Sequence, residues 1–330
     1  MKKLFIAPVI VSLLALALVY WWGGMTAFLL AAALAVLEVT LSFDNAIVNA
    51  KVLAQMPPHW QKRFLTWGML ISVVGVRLLL PIVIVSMVTM VSPFIITALA
   101  FGDPIWYAAL VAGAQPAIEA FGGAFLLLTA LRYFFDVEKV THWFGAAERR
   151  LARWGRIEAI GVALTLTALL FTASWAAAPT VLILKSGLIG VILFILVNGL
   201  TSAIGMAETA TAAHGLALFV YINVLDAAFS LDGVVGAFAL TRLVPIIVVG
   251  LGIGAYFVRA LTLVLVRGGT LKKLRYLEHG AHWAIFALAV CMFASLVVSI
   301  PEWFVATIGL ALIALAYVSS QSAVPRAEKR

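Results

Sequence analysis

Two stretches of this sequence carry acids where acids are costly. The first is Glu38-Val39-Thr40-Leu41-Ser42-Phe43-Asp44-Asn45, and the second is Asp226-Ala227-Ala228-Phe229-Ser230-Leu231-Asp232-Gly233. Overlaid, Glu38 meets Asp226, Ser42 meets Ser230 and Asp44 meets Asp232, while Gly233 stands where the first copy has Asn45. Both stretches sit inside runs that are otherwise almost wholly apolar. An acid at the centre of a membrane-spanning helix costs roughly 2.5–3.5 kcal/mol even on the lenient insertion scale. Two copies in matching register therefore point to function. Carboxylate, hydroxyl, amide and backbone oxygens are hard ligands that suit manganese, magnesium or calcium. Zinc or copper would require histidine and cysteine, of which the chain has five and one. The candidate metal ligands are Glu38, Asp44, Asn45, Asp226 and Asp232, supported by Ser42, Ser230, Arg77 and Arg259.

The spacing limits how these groups act together. Six residues separate the two acids of each motif, about 9 Å of rise and a rotation that leaves them roughly 120° apart on a straight helix. One ion could not then be held by both acids of one motif. Either the helix breaks near Ser42–Asn45 and Ser230–Gly233, freeing carbonyls for coordination, or the acids are successive stations. Gly233 makes a break fit the second copy only. The competing reading is a buried ion-pair scaffold with Arg77 and Arg259 that binds nothing. Against it, Glu38, Asp44, Glu119, Asp226, Asp232 and Glu278 outnumber the two arginines, and a net-negative interior invites a cation. His279 and His282 share a helix face beside Glu278 but read as interfacial residues, as do His59, His142 and His214.

The elements that must position these groups are membrane helices. Of 330 residues, 65% are hydrophobic and 11% charged, far from the roughly 45–50% apolar share of soluble domains. The formal charge of +8 lies in short loops, which is a positive-inside pattern rather than a nucleic-acid surface. Cys291 excludes an internal disulfide and reads as a small packing residue. Apolar blocks long enough to span number ten, centred on 4–20, 25–49, 67–91, 115–135, 159–177, 187–207, 216–240, 243–266, 280–299 and 303–319. The first reads as an uncleaved helix rather than a signal peptide, because Tyr20-Trp21-Trp22-Gly23-Gly24 resembles interface aromatics with a turn and no polar cleavage region follows. Ten spans place every basic loop, and both termini, in the cytoplasm. The loop Asp136–Arg156 holds either an amphipathic helix on the cytoplasmic leaflet or a solvated linker.

An internal repeat organises the spans. Gly68 and Arg77 have the same separation as Gly250 and Arg259, and Ile118-Glu119 parallels Leu277-Glu278. The expected fold is all-α and polytopic, with two five-helix repeats of inverted topology. The first would cover residues 1–178 with its cytoplasmic loop at 136–157, the second 179–320, and a cytoplasmic tail 321–330. Inverted repeats with polar groups near mid-membrane are the architecture of alternating-access transporters. In that geometry Glu38 and Asp226 are central ligands, and Asp44 and Asp232 are relays toward the two faces.

With Trp67-Gly68 and Arg77 on the following helix, the acid–Ser–Asp–Asn motif resembles the TerC family of integral membrane proteins, within the LysE superfamily of exporters. The resemblance covers roughly 25–135 and 216–299, and the extra outer helices mark a divergent branch. It implies manganese as the first choice of exported cation, and a link to tellurium and other metal-stress resistance. The resulting expectation is a multi-pass cytoplasmic-membrane exporter of a divalent cation. It would not be an enzyme and would have no resident cofactor; its partners would be the lipid bilayer and the cation, with no nucleic acid. The rival class is an accessory protein of a metal-stress membrane complex, or one that loads metal into exported proteins; a homo-oligomer fits either. An intramembrane aspartyl protease fits poorly, since no Gly-x-Gly-Asp helix accompanies a Tyr-Asp helix.

Overall fold

The structure is a computed structural model and describes residues 3–157, 159–205, 212–269 and 274–323. Met1-Lys2, the tail from 324 onward and the side chains of His214 and Asp232 lie outside the described residues. Every regular element among those described is helical. In chain order they are α1 (Lys3–Leu41), α2 (Phe43–Gln55), α3 (Pro58–Leu70), a π-helical stretch (Ile71–Leu79), α4 (Leu80–Thr89), α5 (Pro93–Gly102) and α6 (Pro104–Phe134). There follow α7 (Gly145–Trp154), α8 (Ile160–Trp175), α9 (Thr180–Gly205), α10 (Ala212–Leu240), α11 (Val244–Arg267), α12 (Leu277–Ser295) and α13 (Glu302–Ala323).

Eight of the described helical runs are long and apolar enough to cross a membrane, so the chain is a multi-pass membrane protein. The first of them contains a break at Gly24, whose φ of 69° and ψ of −165° suit a residue without a Cβ. That break follows the aromatic Tyr20–Trp22 segment. The 16-residue α8 is apolar but shorter than the eight. Between residues 91 and 115 the sequence suggested only a connection, yet α5 and the first turns of α6 form there. Pro93 and Pro104 each open a helix, where proline's missing N–H and fixed φ are favourable.

The chain forms two compact units, residues 1–118 with 197–264, and residues 119–196 with 265–330, so each draws on both halves of the sequence. In the first unit α1, α10 and α11 share a core that includes Ala31, Leu34, Val234, Ala237, Ile247 and Leu251. The approach of α11 to α1 depends on a Gly-x-x-x-Gly pair, a device that lets membrane helices meet backbone to backbone. A Cβ at Gly250 would lie 2.6 Å from Leu34 Cβ and 2.8 Å from the Ala31 carbonyl, and one at Gly254 would lie 2.9 Å from the Ala35 carbonyl. A second core gathers Ile82, Val85, Ile96, Tyr107 and Val111 from α4, α5 and α6. In the second unit α12 packs along α13, and Phe125 of α6 meets Phe194 of α9 edge to face.

Gly250→Val should therefore force α1 and α11 apart. Overpacking of this kind costs about 1–3 kcal/mol, and a clear drop in the melting temperature of the detergent-solubilised protein is expected. Gly113→Ala, whose added Cβ meets nothing within 4 Å, should melt at or above the wild-type temperature.

Candidate functional site

The motif residues converge inside the first unit. Glu38 ends the apolar stretch of α1 at 1% exposure, Asp226 is buried on α10, and Arg77 and Arg259 are each 3% exposed. Such charges persist in an apolar interior only when paired and hydrogen-bonded. Each acid has the arginine of its own half of the sequence. Arg77 Nη2 donates to Glu38 Oε1 at 2.5 Å, and Arg259 Nη2 donates to Asp226 Oδ2 at 3.1 Å.

The two pairs are joined by a serine that sequence reasoning missed. Ser72 Oγ donates to Asp226 Oδ2 at 2.6 Å, and Arg77 Nη1 donates to both the hydroxyl and the carbonyl of Ser72. Ser72 and Arg77 are five residues apart, which on an ordinary α-helix would leave them about 140° apart. The π-helical stretch Ile71–Leu79, marked by the Leu80 N–H reaching the Gly75 carbonyl, widens the turn and brings them to one face. Such wide turns recur at functional sites. The only sequence signal was a lone serine in an apolar run ahead of an arginine.

The motifs also touch directly. Asn45 Nδ2 donates to Asp226 Oδ1 at 2.9 Å, and a Cβ at Gly233 would lie 3.3 Å from Glu38 Oε2. The residue seven positions after each acid thus meets the acid of the other motif, so the two stretches pass each other in opposite directions. The break sits on the first copy, contrary to the reading from glycine content. α1 ends at Leu41, Ser42 adopts φ −98° and ψ 16°, and α2 begins at Phe43, while α10 runs unbroken through Gly233. Ser42 Oγ donates to Glu38 Oε1 at 2.9 Å, an i to i−4 link across the break. Gly233 serves close approach of the Glu38 carboxylate instead of a change of backbone direction.

Asp44 is 5% exposed at the start of α2, where its Oδ1 accepts the Asn45 N–H at 2.8 Å. An acid suits that first turn, where the helix presents unpaired N–H groups. Asn45 Oδ1, Ser230 Oγ and the Nε atoms of Arg77 and Arg259 are buried without a hydrogen-bond partner among the described residues. Among the described residues no group of three or more His, Cys, Asp or Glu side chains is placed to hold a metal ion. Arg259 is pinned from a second side, since its Nη1 donates to the Phe64 carbonyl at 3.0 Å and its guanidinium lies 4.3 Å from the Phe64 ring centre. Gly68 leaves room for it, because a Cβ there would lie 2.6 Å from Arg259 Nη1.

A separate polar cluster in the second unit brings together Glu148 of the loop and the two histidines that read as interfacial in the sequence, His279 and His282. Glu148 of α7 is fully buried. It accepts from Trp283 Nε1 at 3.0 Å, pairs with Lys139 Nζ at 3.0 Å and meets His279 Nδ1 at 2.9 Å. The Trp143 N–H adds a further bond at 3.2 Å. His282 stacks on Tyr133 with ring centres 3.7 Å apart. The two histidines therefore have structural partners, and the loop helix docks on α12 through its buried acid. Burial alone would raise the Glu148 pKa, but the bonds from His279, Trp283 and Lys139 outweigh it and hold the carboxyl well below its usual range.

Arg259→Ala should leave Asp226 buried with half its compensation, at a cost of about 3–5 kcal/mol. Adding Asp226→Asn should recover much of the loss, because the two residues act as one unit; melting of the four proteins in detergent checks this cycle. A depressed carboxyl stabilises the fold above its unfolded pKa of about 4.3, and that contribution fades as pH falls through the lower folded value. Glu148→Gln should accordingly melt several degrees below wild type at pH 7, with the gap closing in strong acid.

No curated protein and no solved structure matches the chain. The profile of one family, described as "Protein of unknown function (DUF475)", matches residues 43–326. The match takes in Asp44, Asn45, Ser72, Arg77, Asp226, Ser230 and Arg259. It spans most of the 330 residues, and the chain belongs to the DUF475 family.

Proposed function

We propose that this protein exports a divalent cation, manganese first, across the cytoplasmic membrane by alternating access through its two motif helices. The observation that carries this reading is the reciprocal crossing of the motifs, Asn45 on Asp226 and Glu38 on Gly233, with one buried carboxylate–arginine pair on each side. Such a crossing is what two inverted repeats would produce around a pseudo-twofold axis. The ten-span arrangement follows if the Gly24 break separates two spans and α8 forms another, which leaves both termini in the cytoplasm. The resemblance to TerC-type exporters supplies manganese as the leading cargo and is part of the proposal.

In this scheme Arg77 and Arg259 are built-in counter-cations. With no cargo bound they neutralise Glu38 and Asp226, which keeps the buried site electrically balanced. A divalent cation would compete for the same carboxylates, so its entry requires one or both guanidiniums to swing away. Asn45 Oδ1 and Ser230 Oγ, buried and without partners among the described residues, are hard oxygen donors that could join the cation. Asp44 and Asp232 would pass it toward the two faces. One observation favours the rival accessory role: the arginines already pair with both acids.

The cellular manganese content of cells with and without the protein, under manganese excess, decides between them. Glu38→Gln and Asp226→Asn should each abolish efflux at matched protein levels. The double substitution should be no worse than either single one, since residues of one network do not add. Wild-type efflux in both singles would remove the mechanism. Reporter fusions after Arg63, Arg156 and Arg275 should read cytoplasm and one after Pro301 the opposite side; two cytoplasmic positions reading external would exclude the ten-span topology.

A further inference from the structure

In the second unit a groove of about 320 Å³ opens between α6, α8 and α12, with Leu151 of α7 on its wall. Its wall exposes no polar atom, and it is formed by Leu127, Leu131 and Phe135 of α6, Leu164 of α8, Leu151 of α7 and Val290 of α12, among others. From Leu127 to Phe135 the wall rises about 12 Å. The groove is not part of the sealed core, since Val290 is 47% exposed. An apolar slot of this kind holds apolar matter in preference to water.

The side near α7 has a different character. Glu148 and Leu151 turn one face of α7 inward, and Glu148 is fully buried among its partners. The opposite face exposes Arg149 and Arg153, Arg150 is exposed on the flank, and Arg156 is exposed just beyond the helix. Trp154 lies one turn from both Arg150 and Leu151, so Arg150 and Trp154 share the flank of α7 beside the groove-lining Leu151. Trp154 and Ile157 are 45% and 56% exposed, apolar residues at the edge of a basic surface. The nearest carboxylate, Glu148, is turned inward onto its own partners, so this outer surface of α7 presents several exposed positive charges beside an apolar slot. This pairing is complementary to one molecule, a phospholipid with an anionic headgroup.

We infer that the groove binds the acyl chain of an anionic phospholipid whose phosphate lies against the arginines of α7. The site is independent of any transport activity. The loop helix then reads the lipid surface on one face while Glu148 fastens its other face to α12. Basic residues next to a membrane attract anionic lipid by a factor of about five each, and the slot adds the transfer of methylenes out of the bulk bilayer.

The test uses the full-length protein, delipidated in detergent and then offered equal amounts of phosphatidylglycerol and phosphatidylcholine with identical chains. Bound lipid is counted by native mass spectrometry. Retention of phosphatidylglycerol over phosphatidylcholine by tenfold or more is expected. Arg150→Gln with Arg153→Gln should reduce that ratio to near one. Leu164→Trp should fill the slot and remove the retained lipid; Val290→Trp, at the exposed rim, does the same job if Leu164→Trp does not fold. Equal retention of the two lipids by the wild type, or phosphatidylglycerol held equally well by Val290→Trp, would overturn the inference. Stoichiometric copurification of a protein chain in place of lipid would overturn it as well, by assigning the groove to a partner helix.

Discussion

A carboxylate buried among apolar helices must carry its counter-charge with it, and much of the first unit is arranged to meet that requirement twice. Desolvating an ion costs several kcal/mol even after relaxation, which is recovered only with close opposite charge and satisfied hydrogen bonds. The backbone yields to this demand at several points. The chain widens into π-helical turns so that Ser72 and Arg77 share a face. It gives up a side chain at Gly68 where Arg259 passes, and another at Gly233 where the Glu38 carboxylate rests. It interrupts a helix at Ser42, whose hydroxyl then binds the acid four residues earlier.

The same rule explains the second unit on a smaller scale. Glu148 sits on a short helix that would otherwise have little reason to adhere to the membrane core. Groups from the loop and from α12 converge on its carboxylate, and the bonds from His279, Trp283 and Lys139 outweigh its burial. The amphipathic pattern of Gly145–Trp154 was legible as a surface helix. That its inward face is anchored by a fully buried acid was not, because an isolated glutamate among arginines reads as an ordinary exposed ion pair.

What the sequence could convey depended on whether the information was periodic or spatial. The polytopic helical character and the two acidic motifs followed from composition and spacing. The turn after Tyr20-Trp21-Trp22 had a local signature and coincides with the Gly24 break. Ser72 had none, since a lone serine in an apolar run gains meaning only when a wide turn sets it beside Arg77. Gly233 had a misleading one. Glycine weakens a helix and so suggests a break, yet its other property, absence of bulk, is what the packing uses. The backbone departs from the helix at Ser42 instead, where a hydroxyl can bond to the acid one turn earlier. The helix α5 was hidden because ten apolar residues fall short of a span and follow a Ser-Pro turn.

The two half-sites are not equivalent, and the difference bears on how they could work together. Asp226 receives Asn45, Ser72 and Arg259, whereas Glu38 receives Ser42 and Arg77. The position of Asn45 is a glycine in the second copy, and the residue five before Arg259 is Gly254 where the first copy has Ser72. Arg77 therefore serves both acids, one directly and one through Ser72, while Arg259 serves Asp226 alone. Any event that draws Arg77 from Glu38 also removes a donor from the serine that supports Asp226. Coupling through that link is reciprocal: a change at Asp226 that frees Ser72 also weakens the setting of Arg77 at Glu38, whereas one that acts through Arg259 or Asn45 does not. The asymmetry has a direction: Glu38 cannot lose Arg77 without removing a donor from the serine that supports Asp226, while Asp226 can lose Arg259 and leave the Glu38 pair in place.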